Sequence, residues 1–421
     1  MLRSSRNRAW IGGGLIVVGL LAAWAFGSAR HDDEATEPPL DVSLDASPPD
    51  PAPRPVAGDE AARARLNAGI EHIEQHVDDR ADDWMILQRL AGGYLERQRL
   101  TGDWADFGRA EAALERAFER APEGAGPYLM RANLRYTLHR FDAIEPDLQA
   151  IEAFAVRRDE NVRGVRMMRA NIAVQTGHYE EGREQLEALL AESRQQDALL
   201  GLTGYHMATG GLEQADALLT EAEDLASGSD GMTRAWLCLA RGLVQLEAQD
   251  YDAAIAHYER GLTHLPGWYL LEEHIAEARA ERGEVDTALT MYDALIERTN
   301  DPEFMDAAAG LLATRDPDRA RALYARAHEG HEARIAAFPT AAFGHALDHF
   351  LEHEGDADRA VQLAENNRDI RPNGEAWMKL AHAYHLVGRE ADARRALDTV
   401  EAMPYRSHAL EEVRADILGT D

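Results

Sequence analysis

The chain has one cysteine, Cys238, in 421 residues. That excludes an intramolecular disulfide framework and any zinc or iron–sulfur site built on cysteine. It has one lysine, Lys379, so arginine carries nearly all the positive charge. Basic residues number 44 against 75 acidic ones, for a net charge of −31. Such a field repels DNA, RNA and anionic lipid, so no nucleic-acid partner is expected. Aromatic residues make up only 7%. Strand signals are missing from residue 59 onward, with no sustained period-two alternation. There is no P-loop, no G-x-G-x-x-G and no G-x-S-x-G elbow, so phosphate cradles and serine hydrolase chemistry have no sequence support. The hydrophobic fraction, 45%, is ordinary for a folded chain and excludes general disorder.

One long uncharged run is present, residues 9–29. As a helix it would span about 31 Å, the thickness of a bilayer core. Arg3, Arg6 and Arg8 precede it within residues 1–8, and no acidic residue does. Positive charge stays on the cytoplasmic side, so the rest of the chain is expected outside the bacterial inner membrane, in the periplasm. Gly27, Ser28 and Ala29 also offer small residues to a signal peptidase. A signal core usually runs about 7–15 residues, so the length favours an uncleaved single-pass anchor. Residues 30–58 hold seven of the sixteen prolines and a run of acidic residues, which reads as an extended linker.

From residue 59 the chain reads as amphipathic helices with a repeat. A small residue followed four later by a large apolar one recurs at Ala110/Leu114, Gly182/Leu186, Ala215/Leu219, Ala254/Tyr258, Ala288/Tyr292 and Ala393/Leu397. Ala320/Tyr324 continues it, looser versions fall at Ile144/Leu148 and Ala360/Ala364, and the intervals run from 32 to 40 residues. Near the C-terminus the pattern is Trp377-x2-Leu380-Ala381-x2-Tyr384, then Ala393-x3-Leu397. Leu87-x2-Leu90-Ala91-x2-Tyr94, then Ala110-x3-Leu114 and Pro122, opens the series. This resembles the tetratricopeptide repeat (TPR), a helix pair of about 34 residues. A small residue at the crossing lets two helices approach, and large ones fill the gap between pairs. No pair buries its apolar face alone, so pairs must stack.

The resemblance implies an all-α fold, a TPR-type helical solenoid that is a right-handed superhelix of antiparallel helix pairs, behind an N-terminal transmembrane helix. About nine repeats cover residues 83–405. Residues 59–82 are expected as an N-terminal cap helix, with Leu66, Ile70, Ile73 and Val77 on one face. Residues 406–421 are expected as a C-terminal cap helix started by Ser407.

The family binds protein or peptide partners on its concave face, through set positions of each first helix. Carried over, these give Leu129, Asn133, Tyr136, Met167, Asn171, Leu200 and Met207 as a partner-binding groove. Asn133 and Asn171 fall at one position in successive repeats, where an amide can both donate to and accept from a peptide backbone. Methionine adapts to varied apolar side chains. Plain packing between repeats is the competing reading.

Eight of the 17 histidines lie between residues 328 and 408. His345, His349 and His353 are spaced i, i+4, i+8, and His382 and His385 lie on the next first helix. By the family register all five face the groove, which makes them candidate ligands for Zn²⁺ or Ni²⁺. The alternative is a polar groove that titrates passively. His349-Phe-Leu-Glu352-His353 also spells H-x-x-E-H, but it sits in register inside the repeats, where a protease fold has no room. The expected function is therefore a non-enzymatic protein-binding scaffold or assembly factor in the cell envelope. The alternative is a periplasmic metal-handling protein.

Overall fold

The computed structural model describes residues 59–78, 83–154, 159–352 and 357–419. The candidate membrane segment 9–29 and the linker 30–58 lie outside the described residues, as does His353. Among the described residues no helix is long and apolar enough to cross a membrane.

Every regular element described is helical. Helix α1 (Asp59–His76) leads the array. Nine pairs follow. They begin with α2 (Trp84–Thr101) and α3 (Ala105–Arg120), α4 (Tyr128–Thr137) and α5 (Glu145–Glu152), and α6 (Asp159–Gln175) and α7 (Tyr179–Glu192). Next come α8 (Gln196–Ala208) and α9 (Leu212–Leu225), α10 (Gly231–Glu247) and α11 (Tyr251–His264), and α12 (Tyr269–Glu281) and α13 (Val285–Thr299). The last three are α14 (Pro302–Leu312) and α15 (Pro317–Ala337), α16 (Pro339–Glu352) and α17 (Ala357–Ile370), and α18 (Gly374–Leu386) and α19 (Glu390–Glu401). Helix α20 (His408–Leu418) closes the chain. Each helix packs chiefly on its sequence neighbours, so this is the all-α repeat array that the tetratricopeptide resemblance implies.

The small/large pairs explain the packing. Ala215, Ala254 and Ala288 are completely buried, as are Leu219, Tyr258 and Tyr292 four residues on, and so are Ala110, Ala393 and Leu186. Gly242 of α10 makes the closest approach. A Cβ there would lie 2.0 Å from the Tyr258 ring, so only hydrogen lets α11 cross at that height. Helix starts are capped by short acids and amides. Asp83, Asp230, Asp250, Asp301, Asp316 and Asn373 each accept from a backbone N–H in the first turn. Ser407, the expected cap of the last helix, accepts from the Leu410 N–H at 3.2 Å. Pro146 sits at the second position of α5, where its missing N–H costs nothing, and the chain before it turns through Phe141–Ala143.

Arginine forks tie neighbouring helices. Asp106, fully buried on α3, accepts from both Arg97 (2.6 and 2.8 Å) and Arg109 (2.6 Å). Asp147 on α5 accepts from Arg131 and Arg135 of α4 at 2.6 and 2.7 Å. A planar guanidinium can serve two carboxylate oxygens at once, which an ammonium cannot, and this suits the arginine-rich composition.

The array also returns on itself. The Arg406 N–H donates to the Ala208 carbonyl at 3.0 Å, and Asn373 Nδ2 donates to the Gln175 carbonyl at 3.1 Å. The Gly374 N–H donates to the Tyr179 hydroxyl at 2.9 Å. Thr340 Oγ1 donates to the Leu138 carbonyl at 2.6 Å, and Phe338 packs on Phe107 and Trp104. Residues of repeats one to four thus meet residues roughly 200 positions later. One apolar cluster joins Val174 and Tyr179 to Met378, Tyr405 and Leu410.

Candidate functional site

The seven residues expected to line an open groove are mostly covered. Tyr136, Met167 and Leu200 are 1% exposed, and Asn171 and Met207 are also buried. All five but Asn171 belong to the apolar cluster that spans both turns, and Leu129 packs against its edge. The family register placed them correctly on first helices. It gave no information on the return of residues 371–408, which close over this side. Tyr136, for example, lies within the field of Arg371. These residues are therefore not an accessible face in this conformation. Asn133 is half-buried and its Oδ1 finds no hydrogen-bond partner, and neither does Nδ2 of buried Asn171.

The four candidate histidines among the described residues, His345, His349, His382 and His385, do not gather in one place. His345 lies edge-on to Trp104 at 5.6 Å, with Nδ1 3.3 Å from Glu303 Oε2. His385 Nδ1 is 3.2 Å from Glu390. His382 faces Asp416, Asp348, His385 and Lys379, and burial lowers its pKa. Among these four, His349 joins a histidine cluster, and its companions come from outside the candidate set.

That cluster is built by three consecutive helices. Asp306 projects from α14, His328 and His331 from α15, and His349 from α16. His331 Nε2–H donates to Asp306 Oδ2 at 2.7 Å, and His349 Nδ1–H donates to Asp306 Oδ1 at 2.8 Å. The rings of His331 and His349 are 5.0 Å apart, and His349 Nε2 is 3.4 Å from His328 Nδ1. Burial would raise the Asp306 carboxyl, but the two imidazole hydrogen bonds outweigh it and hold it low. Beside it, Arg334 donates to Asp301 (2.6 Å) and Glu303 (2.9 Å), and its guanidinium covers Trp104 at 4.7 Å. A cavity of about 360 Å³ opens next to Trp104 and Arg334, at the seam between α2 and the α13–α15 region.

His328 and His331 escaped the sequence reading because they lie on a second helix. The signal was the interval of 40 residues between Ala320 and Ala360, the longest in the series. Those extra residues extend α15 to 21 residues and carry both histidines and Arg334.

A second cluster lies on α12, where buried His274 has Nδ1 2.9 Å from Glu277 and 3.1 Å from Glu273. Burial pushes the Glu273 carboxyl up to about 8. It therefore holds a proton at neutral pH and offers less to a cation than an ionised carboxylate.

No family model matches the chain, and no curated protein matches it. Solved structures with similar helical repeats include the Rap protein complexed with competence and sporulation factor. It is 11% identical, with 85% of this chain and 100% of that one covered and a TM-score of 0.45. Yeast Tom70 is 13% identical, with 85% and 96% covered and a TM-score of 0.35. A tetratricopeptide repeat protein from Parabacteroides merdae is 15% identical, with 61% and 98% covered and a TM-score of 0.36. At these scores the likeness carries no argument about what this chain binds.

Proposed function

We propose that this chain is a non-catalytic protein-binding scaffold, tethered by residues 9–29 to the bacterial inner membrane with its repeats on the periplasmic side. The observation that supports it is the pair of unmet amide atoms on Asn133 of α4 and Asn171 of α6. They are 38 residues apart, the same interval as Ile144 and Gly182 in the paired helices, so they occupy one position in successive repeats. A buried amide atom without a partner costs about 1–3 kcal/mol. An extended peptide backbone supplies the missing donors and acceptors at the spacing of a stacked array. In this reading the partner enters as the later repeats move off this side.

The test uses the purified chain on an array of unstructured peptides cut from envelope proteins. The wild type is expected to bind a subset. Asn133→Ala/Asn171→Ala is expected to weaken that binding up to about tenfold per lost bond, with helicity unchanged and the melting temperature not lowered. Equal binding by the double variant overturns the groove. For the tether, a periplasm-active reporter fused after Asp421 should be active and stay in membranes through a carbonate wash. A released chain beginning near Arg30 would identify a cleaved signal peptide instead.

A further inference from the structure

We propose that Asp306, His331 and His349 form a binding site for a divalent first-row transition ion, Zn²⁺ foremost, with His328 at its rim. The inference is independent of the peptide-binding reading. The ligand atoms of the three residues all lie within 4.8 Å of one another. Two imidazoles and a carboxylate are a borderline N,N,O set of the kind that holds zinc and leaves one position open.

The geometry is close to what an ion needs. Bonds of about 2.0–2.1 Å in a tetrahedron put neighbouring ligand atoms roughly 3.3 Å apart. Both Asp306–imidazole separations are now hydrogen bonds, at 2.7 and 2.8 Å. Parting them by about half an ångström, and moving each bridging proton to the other nitrogen of its ring, makes room for one cation. Nδ1 of His331 is buried with no hydrogen-bond partner, so no contact holds the ring proton on Nε2, the nitrogen that faces Asp306. His331 and His349 are only 1% and 5% exposed, so bulk water does not compete strongly for the ion. His328 is exposed and touches the buried His349 ring on the side turned away from Asp306, which gives the ion an entry path. Phe350 packs against both His328 and His349 and fixes their rings.

The three ligands sit on three successive helices, α14, α15 and α16. A bound ion would join one repeat to the next across the long α15. Its effect is therefore structural as well as chemical, and binding should raise stability.

The full chain, stripped with a chelator, is titrated with Zn²⁺ by calorimetry and with Co²⁺ by visible absorption. One ion per chain is expected, with a Co²⁺ ligand-field band of tetrahedral type and a higher melting temperature. His331→Gln/His349→Gln should weaken binding at least ~100-fold and abolish the band. His382→Gln/His385→Gln should leave both unchanged. Weak, multi-site Zn²⁺ uptake that survives the first double change would mean general attraction to a highly acidic protein, and would overturn the site. Should that variant not fold, Asp306→Asn replaces it. The absence of any Co²⁺ band in the wild type overturns the proposal by itself.

Discussion

The indole N–H of Trp268 donates to the backbone carbonyl of Arg99 at 3.0 Å, across 169 residues of sequence. Trp268 is completely buried and lies against Trp236 at 5.7 Å between ring centres. A local repeat contact would not join these residues, so the bond belongs to the seam where the array meets itself. Trp268→Phe keeps most of the ring and leaves the carbonyl unpaired, at an expected cost of about 1–3 kcal/mol. Trp268→Ala also opens a cavity and should cost about 3–5 kcal/mol. Denaturant unfolding measures both. A Phe variant as stable as wild type would show that the seam bond contributes nothing.

Gly177 tests the same seam from the backbone. Its φ is +82°, and a Cβ would lie 2.6 Å from the Pro372 carbonyl oxygen. Gly177→Ala is therefore strained locally and clashes with the returning chain. The expected result is a larger radius of gyration by X-ray scattering, with helical circular dichroism retained. An unchanged radius would mean that the seam tolerates the clash.

Gly242→Ala sets two effects against each other. Alanine gains about 1 kcal/mol of helix propensity over glycine. The added methyl must displace the Tyr258 ring, whose edge stands 2.0 Å away and whose residue is fully buried. Overpacking of this kind costs about 1–3 kcal/mol. The variant should lose stability in a thermal melt, and a stabilised variant would refute the close crossing of α10 and α11.

The sequence is most legible where one local rule decides the structure. Ala254 and Tyr258 announce a helix crossing because a small residue and a ring four positions on can serve little else, and both are fully buried. Met167, Leu200 and Met207 were harder. Their register shows which helix face they occupy, but whether that face meets solvent depends on the pitch of the superhelix. Pitch accumulates from small rotations at each repeat, and no single residue encodes it. The histidine cluster failed for a different reason. His331 meets His349 only because α15 overruns the usual repeat length, so a position-by-position transfer from a regular repeat passes over it.

Lys379, the only lysine, is buried in an ion cluster. Its ammonium is 2.8 Å from Asp348 and 3.7 Å from Glu375. Burial would lower its pKa, but the two carboxylates outweigh that and raise it. It is both covered and protonated, two conditions that stop an amine from acting as a nucleophile. An amine-reactive ester should therefore modify Lys379 at least ~10-fold more slowly in the folded chain than after unfolding, since reaction requires an opening event. Peptide mapping reads this directly. Equal rates would place Lys379 at the surface.

Glu273 gives the pH dependence with a definite sign. Burial raises its folded pKa to about 8, with Glu277 adding and His274 opposing. In the unfolded chain a glutamate titrates near 4.3. Between these values the folded state holds a proton that the unfolded state has released. The contribution of Glu273 to stability is thus fully present below about pH 4.3 and is lost as pH rises toward 8. Glu273→Gln keeps the shape and cannot ionise, so it removes this term. Denaturant midpoints measured from pH 5 to pH 9 should fall with pH more steeply in the wild type than in the variant, and the variant should be the more stable at pH 9. Parallel curves would show that Glu273 is ionised throughout, held so by His274. The α12 cluster would then be an ion pair rather than a protonated hydrogen-bond donor.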